Sequence, residues 1–63
     1  MTTYKITAGK RGIYSSGLVV AATEEEAEAV YINRGYKIVG CWPATDYEIE
    51  EARIKGMPIT EVR

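Results

Sequence analysis

One stretch decides the fold of this chain: residues 17–38, which read GLVVAATEEEAEAVYINRGYKI. It begins with an apolar run, Leu18 to Ala22, whose composition is typical of a strand. The acidic, alanine-rich segment from Thr23 to Gly35 has the composition and end signals of a helix. An apolar segment, Tyr36 to Trp42, then resumes an extended path. The stretch therefore predicts a strand, a helix and a second strand in succession.

The helix carries a signal at each end. Thr23 followed by Glu26 predicts a capping box, in which each side chain binds the backbone N–H of the other residue. Three consecutive glutamates place negative charge at the positive end of the helix dipole. Arg34 and Gly35 suit the other end, because a cation is favourable there and glycine adopts the left-handed C-cap conformation. The inward stripe is predicted to comprise Ala27, Val30 and Tyr31.

The residues before this stretch predict a hairpin. Thr3 to Ala8 has apolar side chains at every second position, as a half-buried strand does. Gly9 to Gly12 is predicted to be a turn, and Ser15 to Gly17 a bulge or a second turn. Leu18 to Ala22 is apolar on both faces, which fits a strand covered on both sides, or by a helix on one side and a partner on the other.

The strand that begins at Tyr36 is expected to alternate between two faces and to end at Pro43, because proline cannot donate to a ladder. One face is predicted to hold Tyr36, Ile38, Gly40 and Trp42, and the other Lys37, Val39 and Cys41. This assignment places Trp42 and Cys41 on opposite sides of the sheet.

A second helix repeats the signals of the first. Thr45 and Glu48 predict another capping box, and Gly56 ends the helix. Its inward stripe is predicted to comprise Ile49, Ala52 and Arg53, flanked by Tyr47 and Ile54. Pro58 then permits a short strand, Ile59 to Val62, of the kind found at a sheet edge.

These elements predict one α+β domain that spans residues 1–63. The order is strand-strand-helix-strand-helix, followed by a last strand if the tail joins the sheet. Helices of about 10–12 residues are marginal alone, so both must pack their apolar stripes on the sheet. We expect a small two-layer sandwich in which both helices lie on one face of a sheet of three or four strands.

Composition excludes several classes of protein. Eight basic and nine acidic residues give a net charge of -1, which argues against a general attraction to nucleic acid. One cysteine, Cys41, and no histidine exclude an intramolecular disulfide and an ordinary zinc site. No apolar run reaches the ~20 residues that span a bilayer, and the first residues lack the apolar core of a signal peptide. We therefore predict a cytoplasmic protein with no cofactor, no bound metal and no membrane partner.

Part of the chain resembles a known family. The residues concerned are Gly12, Gly17, Val19, Ala21, Thr23, Glu26, Ala27, Gly35, Tyr36, Ile38 and Val39. Their arrangement is similar to the strand-strand-helix-strand module that opens the inner-membrane platform proteins of type II secretion and type IV pilus assembly. The chain lacks the membrane helices of that family and adds a second helix. The resemblance implies a protein-contact module without catalysis.

No residue is predicted to be catalytic. The carboxylates cluster at Glu24 to Glu28 and at Asp46 to Glu51, where charge at helix N-termini explains them. A hard-cation site between the two clusters is not favoured, because no loop has the ligand spacing of a calcium site. Ser15, Ser16 and Cys41 have no histidine base, and Cys41 is interpreted as a small buried hydrophobe. We therefore predict that the chain is not an enzyme.

The aromatic residues give the main indication of function. The chain has five tyrosines, one tryptophan and no phenylalanine, and Tyr and Trp are enriched at protein interfaces. The candidate partner-binding residues are Tyr14, Tyr36, Trp42 and Tyr47. The alternative interpretation is that each ring is buried at the rim of a small core and leaves its polar tip in water.

We therefore predict a non-catalytic protein–protein interaction module that binds another protein or itself. A small inhibitor or adaptor encoded by a phage or mobile element fits this description. Contact is expected through the aromatic residues or through an exposed sheet edge. The alternative function is a nucleic-acid-binding module, in which Lys5, Lys10 and Arg11 form a basic hairpin beside tyrosine rings.

Overall fold

The computed structural model describes residues 1–62. Its elements in chain order are β1 (Thr2–Lys10), β2 (Ile13–Ala21), α1 (Glu24–Ile32), β3 (Lys37–Pro43), α2 (Asp46–Lys55) and β4 (Ile59–Glu61). The four strands form one sheet in the order β3-β1-β2-β4. The predicted α+β class and element order are confirmed, and the tail strand joins the sheet at its edge.

The sheet contains both antiparallel and parallel strand pairs. Strand β1 runs antiparallel to both β2 and β3, whereas β2 and β4 are parallel. The β1–β2 hairpin closes through two residues, Arg11 and Gly12, whose φ angles are 53° and 80°. Positive φ at both positions is the geometry of the turn that best fits the twist of a hairpin. The pairing of β2 with β1 is continuous, so the predicted bulge or turn at Ser15 to Gly17 is wrong.

Helix α1 covers one face of the sheet. The buried core on this face consists of Ile6, Ala8, Val19, Ala21, Ala27 and Tyr31. Ala27 and Tyr31 are buried and Val30 packs against them, which agrees with the predicted stripe. Gly17 of β2 lies under the Tyr31 hydroxyl, so the absence of a side chain there leaves room for the ring.

Helix α2 covers the opposite face. Lys5 pairs with Leu18 on one side and with Trp42 on the other, so these three side chains project from one face of the sheet. Glu48 of α2 contacts both Lys5 and Trp42. Leu18 is fully buried but does not belong to the core under α1. The expectation that both helices share one face is therefore wrong, and β2 is covered by helices on both sides.

Strand order explains this arrangement. Strands β3 and β4 occupy opposite edges of the sheet, so the segment that joins them must cross a face. Helix α1 already lies over β1, β2 and β3 on one face, which leaves the other for α2. Ala52 is the fully buried residue of α2, whereas Arg53 is exposed and the predicted inward position of Arg53 is wrong.

A bulge changes the faces of β3. Thr7 pairs with Gly40 and Ala8 pairs with Ile38, so Val39 is an extra residue in the ladder. Ile38 and Cys41 therefore face α1, whereas Gly40 and Trp42 face the α2 side. The predicted alternation, which placed Ile38 with Trp42, is wrong because it assumes an uninterrupted period of two residues.

Candidate functional site

Three of the four candidate aromatic residues are exposed. The exposed fractions are 71% for Tyr14, 74% for Tyr47 and 42% for Trp42. Tyr36 is half-buried, and its ring meets that of Tyr31 edge to face with centroids 5.6 Å apart. Tyr36 therefore belongs to the rim of the core under α1.

The three exposed rings lie on one side of the molecule. Tyr14 pairs with Gly9 and Trp42 pairs with Lys5, and positions 5 and 9 of β1 share a face because strand side chains alternate. Helix α2, which carries Tyr47, packs on the same face. We call Tyr14, Trp42 and Tyr47 together the aromatic face.

Trp42 is held in place by its neighbours. Its ring lies against Gly40, where an added Cβ would stand 2.9 Å from Cζ3 of the ring. The indole Nε1 donates to Glu48 Oε2 over 3.3 Å, and Lys5 Nζ lies 3.8 Å from the same oxygen. The backbone N–H of Thr45 donates to the Glu48 carboxylate and is the main cause of a lowered pKa for Glu48. A charged Glu48 thus ties the start of α2 to two strands.

The outward side of α2 is partly apolar. Tyr47 and Ile54 are both exposed, and with Glu50 and Glu51 they line a shallow depression of about 280 Å³. Glu51 Oε1 is paired with Lys55 Nζ at 2.7 Å. The depression extends the aromatic face along the helix.

A larger groove lies between the hairpin tip and the α1–β3 loop, and we call it the tip groove. Its volume is about 730 Å³, and it is lined by Gly9, Lys10, Arg11, Gly12, Tyr14, Gly35, Lys37, Ile38 and Val39. Lys10 Nζ donates to the carbonyl oxygen of Arg34 over 2.9 Å and lies 5.5 Å from the centre of the Tyr36 ring. These contacts join the hairpin tip to the loop.

The structure separates the three predicted basic residues. Lys10 and Arg11 line the tip groove, whereas Lys5 faces α2 and is paired with Glu48. Lys37 is the third basic residue that lines the groove, because it pairs with Gly9 across β1 and β3. Sequence reasoning missed Lys37, because only strand pairing brings it to the hairpin tip.

A further cluster lies between α1 and β3. Ligand atoms of Glu24, Glu28 and Cys41 lie within 4.8 Å of one another, and Cys41 is half-buried rather than buried as predicted. Burial, and then the charges of Glu24 and Glu28, raise the pKa of the Cys41 thiol to about 11. The thiol is therefore protonated at neutral pH, a form that is a poor nucleophile.

The remaining candidate groups have structural partners or lie apart. The acidic N-termini of α1 and α2 are on opposite faces of the sheet, so the structure does not bring the two carboxylate clusters together. Ser16 Oγ lies 3.2 Å from Thr7 Oγ1, within hydrogen-bonding distance across β1 and β2. Ser15 is half-buried on the same strand.

Comparison with known proteins gives no relative. No family model, no curated protein and no solved structure matches the chain. The resemblance to the secretion and pilus platform proteins stays a prediction. Within residues 1–62, neither helix has the length and apolar character needed to cross a membrane.

Proposed function

We propose that this chain is a non-catalytic interaction module that binds another protein, or a second copy of itself, through the aromatic face. The observation that carries the proposal is the exposure of Tyr14, Trp42 and Tyr47 on one side of the molecule, outside the core under α1. Such rings combine a large apolar area with a polar atom, which is the chemistry enriched at the centre of protein interfaces.

The energetics favour such a role. A chain of about 60 residues buries only about 60% of the surface that it exposes when unfolded, so its own core is small. Burial of one large apolar side chain is worth roughly 1.5–3 kcal/mol, and the aromatic face offers three rings as well as Ile54. Glu48 and Gly40 hold Trp42 before any partner arrives, which lowers the ordering cost of binding.

The positions of the ionisable groups support a function without catalysis. Glu48 is used in the cap of α2, and Glu51 pairs with Lys55. Cys41 is the only thiol of the sequence, and its raised pKa keeps it protonated. The sequence has no histidine to serve as a base near neutral pH.

A paired-variant co-purification tests the proposal. Tyr47→Ser removes an exposed ring from the aromatic face, whereas Ile32→Ser removes an exposed apolar side chain from α1 on the other side of the sheet. Tagged proteins are recovered from native lysate, bound proteins are quantified by mass spectrometry, and sedimentation shows whether the partner is a second copy. We expect Tyr47→Ser to lose a partner that Ile32→Ser retains. A wild-type monomer with no retained partner, or equal losses in both variants, would contradict the proposal.

A further inference from the structure

The charges of this molecule are segregated along the chain. None of its nine acidic residues precedes Glu24, whereas the hairpin region before Glu24 contains Lys5, Lys10 and Arg11. Among residues 1–62, three cations, those of Lys10, Arg11 and Lys37, line the tip groove, and none of the lining residues is acidic. The tip groove is therefore complementary to a negatively charged ligand.

Arg11 occupies a backbone position in which arginine is uncommon. Its φ of 53° lies in the left-handed region, where a side chain with a Cβ is disfavoured and Asn, Asp or Gly is the usual residue. Local backbone strain of this kind is concentrated at functional sites. Arginine at this position therefore destabilises the turn relative to asparagine or glycine.

The groove is formed before any ligand binds. Lys10 fixes the hairpin tip to the α1–β3 loop through the Arg34 carbonyl, and Gly35, with a φ of 87°, lies against the Lys10 side chain. Arg11 is exposed at the tip. Tyr14 and Val39 are also exposed and supply apolar surface beside the cations.

We propose that the tip groove binds a short acidic segment of a partner protein. This inference rests on the proposed function and characterises the partner. Tyr14 belongs both to the groove and to the aromatic face, so one partner covers both surfaces. A nucleic acid strand is disfavoured, because its affinity depends on neutralising many phosphates, and the groove offers three cations on a chain whose net charge is -1.

A peptide titration monitored by NMR tests the site. The probe is a synthetic peptide that alternates pairs of aspartates with single leucines, and the control peptide has asparagine in place of aspartate. We expect the acidic peptide to shift the backbone amide signals of Gly9, Gly12, Gly35 and Val39, with weaker binding at higher salt. The asparagine peptide should leave these signals in place. No shifts with the acidic peptide, or equal shifts with both peptides, overturn the proposal.

Variants at the turn sharpen the test. Arg11→Asn should weaken binding of the acidic peptide about tenfold, because a charged hydrogen bond is lost, and should raise the temperature of unfolding, because asparagine fits the turn. Lys55→Gln removes a cation on α2, away from the groove, and should leave the affinity unchanged. An unchanged affinity in Arg11→Asn overturns the proposal.

A short single strand of thymidine nucleotides serves as the competing ligand. If it shifts the groove signals and the acidic peptide does not, the groove is a nucleic-acid site and the proposal is overturned. The peptide titration does not involve Tyr47, so it fails or succeeds independently of the co-purification. If Tyr47→Ser loses a partner that the wild type retains and the acidic peptide does not bind, the inference about the groove is overturned and the proposed function is not.

Discussion

At the scale of single residues, Gly17 shows how a missing side chain permits packing. A Cβ at this position would overlap the Tyr31 hydroxyl, which is fixed by a buried ring. We predict that Gly17→Ala lowers the free energy of unfolding by roughly 1–3 kcal/mol through overpacking. Tyr31→Phe removes the overlapping oxygen, so Gly17→Ala should cost less in that background. Urea unfolding of the four proteins measures both effects, and equal costs in the two backgrounds would contradict the contact.

Cys41 is predicted to react slowly with alkylating reagents at neutral pH. Burial and two carboxylates raise its thiol pKa from the usual 9.0 to about 11, so the rate of reaction with iodoacetamide should rise with a midpoint near the higher value. Glu24→Gln with Glu28→Gln should lower the midpoint but leave it above 9.0, because burial is the larger cause. A wild-type midpoint at 9.0 or below would be inconsistent with this environment.

The raised thiol pKa also has a consequence for stability. The thiol pKa of Cys41 is higher in the folded state than in the unfolded state, so the protonated thiol contributes to the free energy of unfolding. This contribution is fully present below pH 9.0. It is lost as the pH rises from 9.0 toward 11.

Local signals in the sequence predict some residue roles and miss others. Thr23 and Thr45 are N-caps as predicted, because a cap depends on residues only three positions away, but the predicted capping box is complete only at Thr45. Tyr14 and Tyr47 have exposed rings, and their role as partner-binding residues stays a prediction. Lys37 in the groove was missed because its position depends on the bulge at Val39, which strand pairing reveals and the residue pattern does not.

At the scale of elements, Glu48 connects α2 to the sheet. Thr45 and Glu48 form the complete capping box, and the same carboxylate meets Trp42 of β3 and Lys5 of β1. We predict that Thr45→Ala lowers the free energy of unfolding by about 1 kcal/mol, whereas Thr45→Ser, which keeps the hydroxyl, stays near the wild type. Urea unfolding distinguishes the two. Equal losses for alanine and serine would exclude the cap as the cause.

Acid should weaken the same element. The pKa of Glu48 is below its usual 4.5, chiefly because the Thr45 N–H donates to it, so the folded state favours the charged form. This stabilisation is fully present above pH 4.5 and is lost as the pH falls through the lower, folded pKa. The free energy of unfolding of Glu48→Gln should therefore fall less steeply with decreasing pH than that of the wild type. Glu50→Gln, which changes an exposed carboxylate of the same helix, is the control, and identical acid profiles for the wild type and Glu48→Gln would count against this role.

The side of the sheet that α2 covers was beyond prediction from the sequence. The amphipathic pattern shows that a helix needs an apolar surface, but both faces of β2 offer one. Strand order determines which face α2 covers, because the connection from β3 to β4 must cross the sheet on the face that α1 leaves open. Pairings between distant segments set strand order, and no short window of sequence records them.

At the scale of the whole molecule, two surfaces meet at Tyr14. The aromatic face extends from Tyr14 through Trp42 to α2, and Tyr14 also lines the tip groove together with Lys10, Arg11 and Lys37. The acidic side chains of α1 and α2 lie away from the groove lining. A partner with an apolar surface next to an acidic segment would complement both.

Site-specific photo-crosslinking tests the docking role of the aromatic face most directly. Benzoylphenylalanine replaces Tyr47 in one protein and Ile32 in another, both exposed positions on helices that cover opposite faces of the sheet. After irradiation in the native host, we expect a discrete cross-linked species from position 47 and none from position 32. No discrete species from position 47, or the same species from both positions, would contradict it.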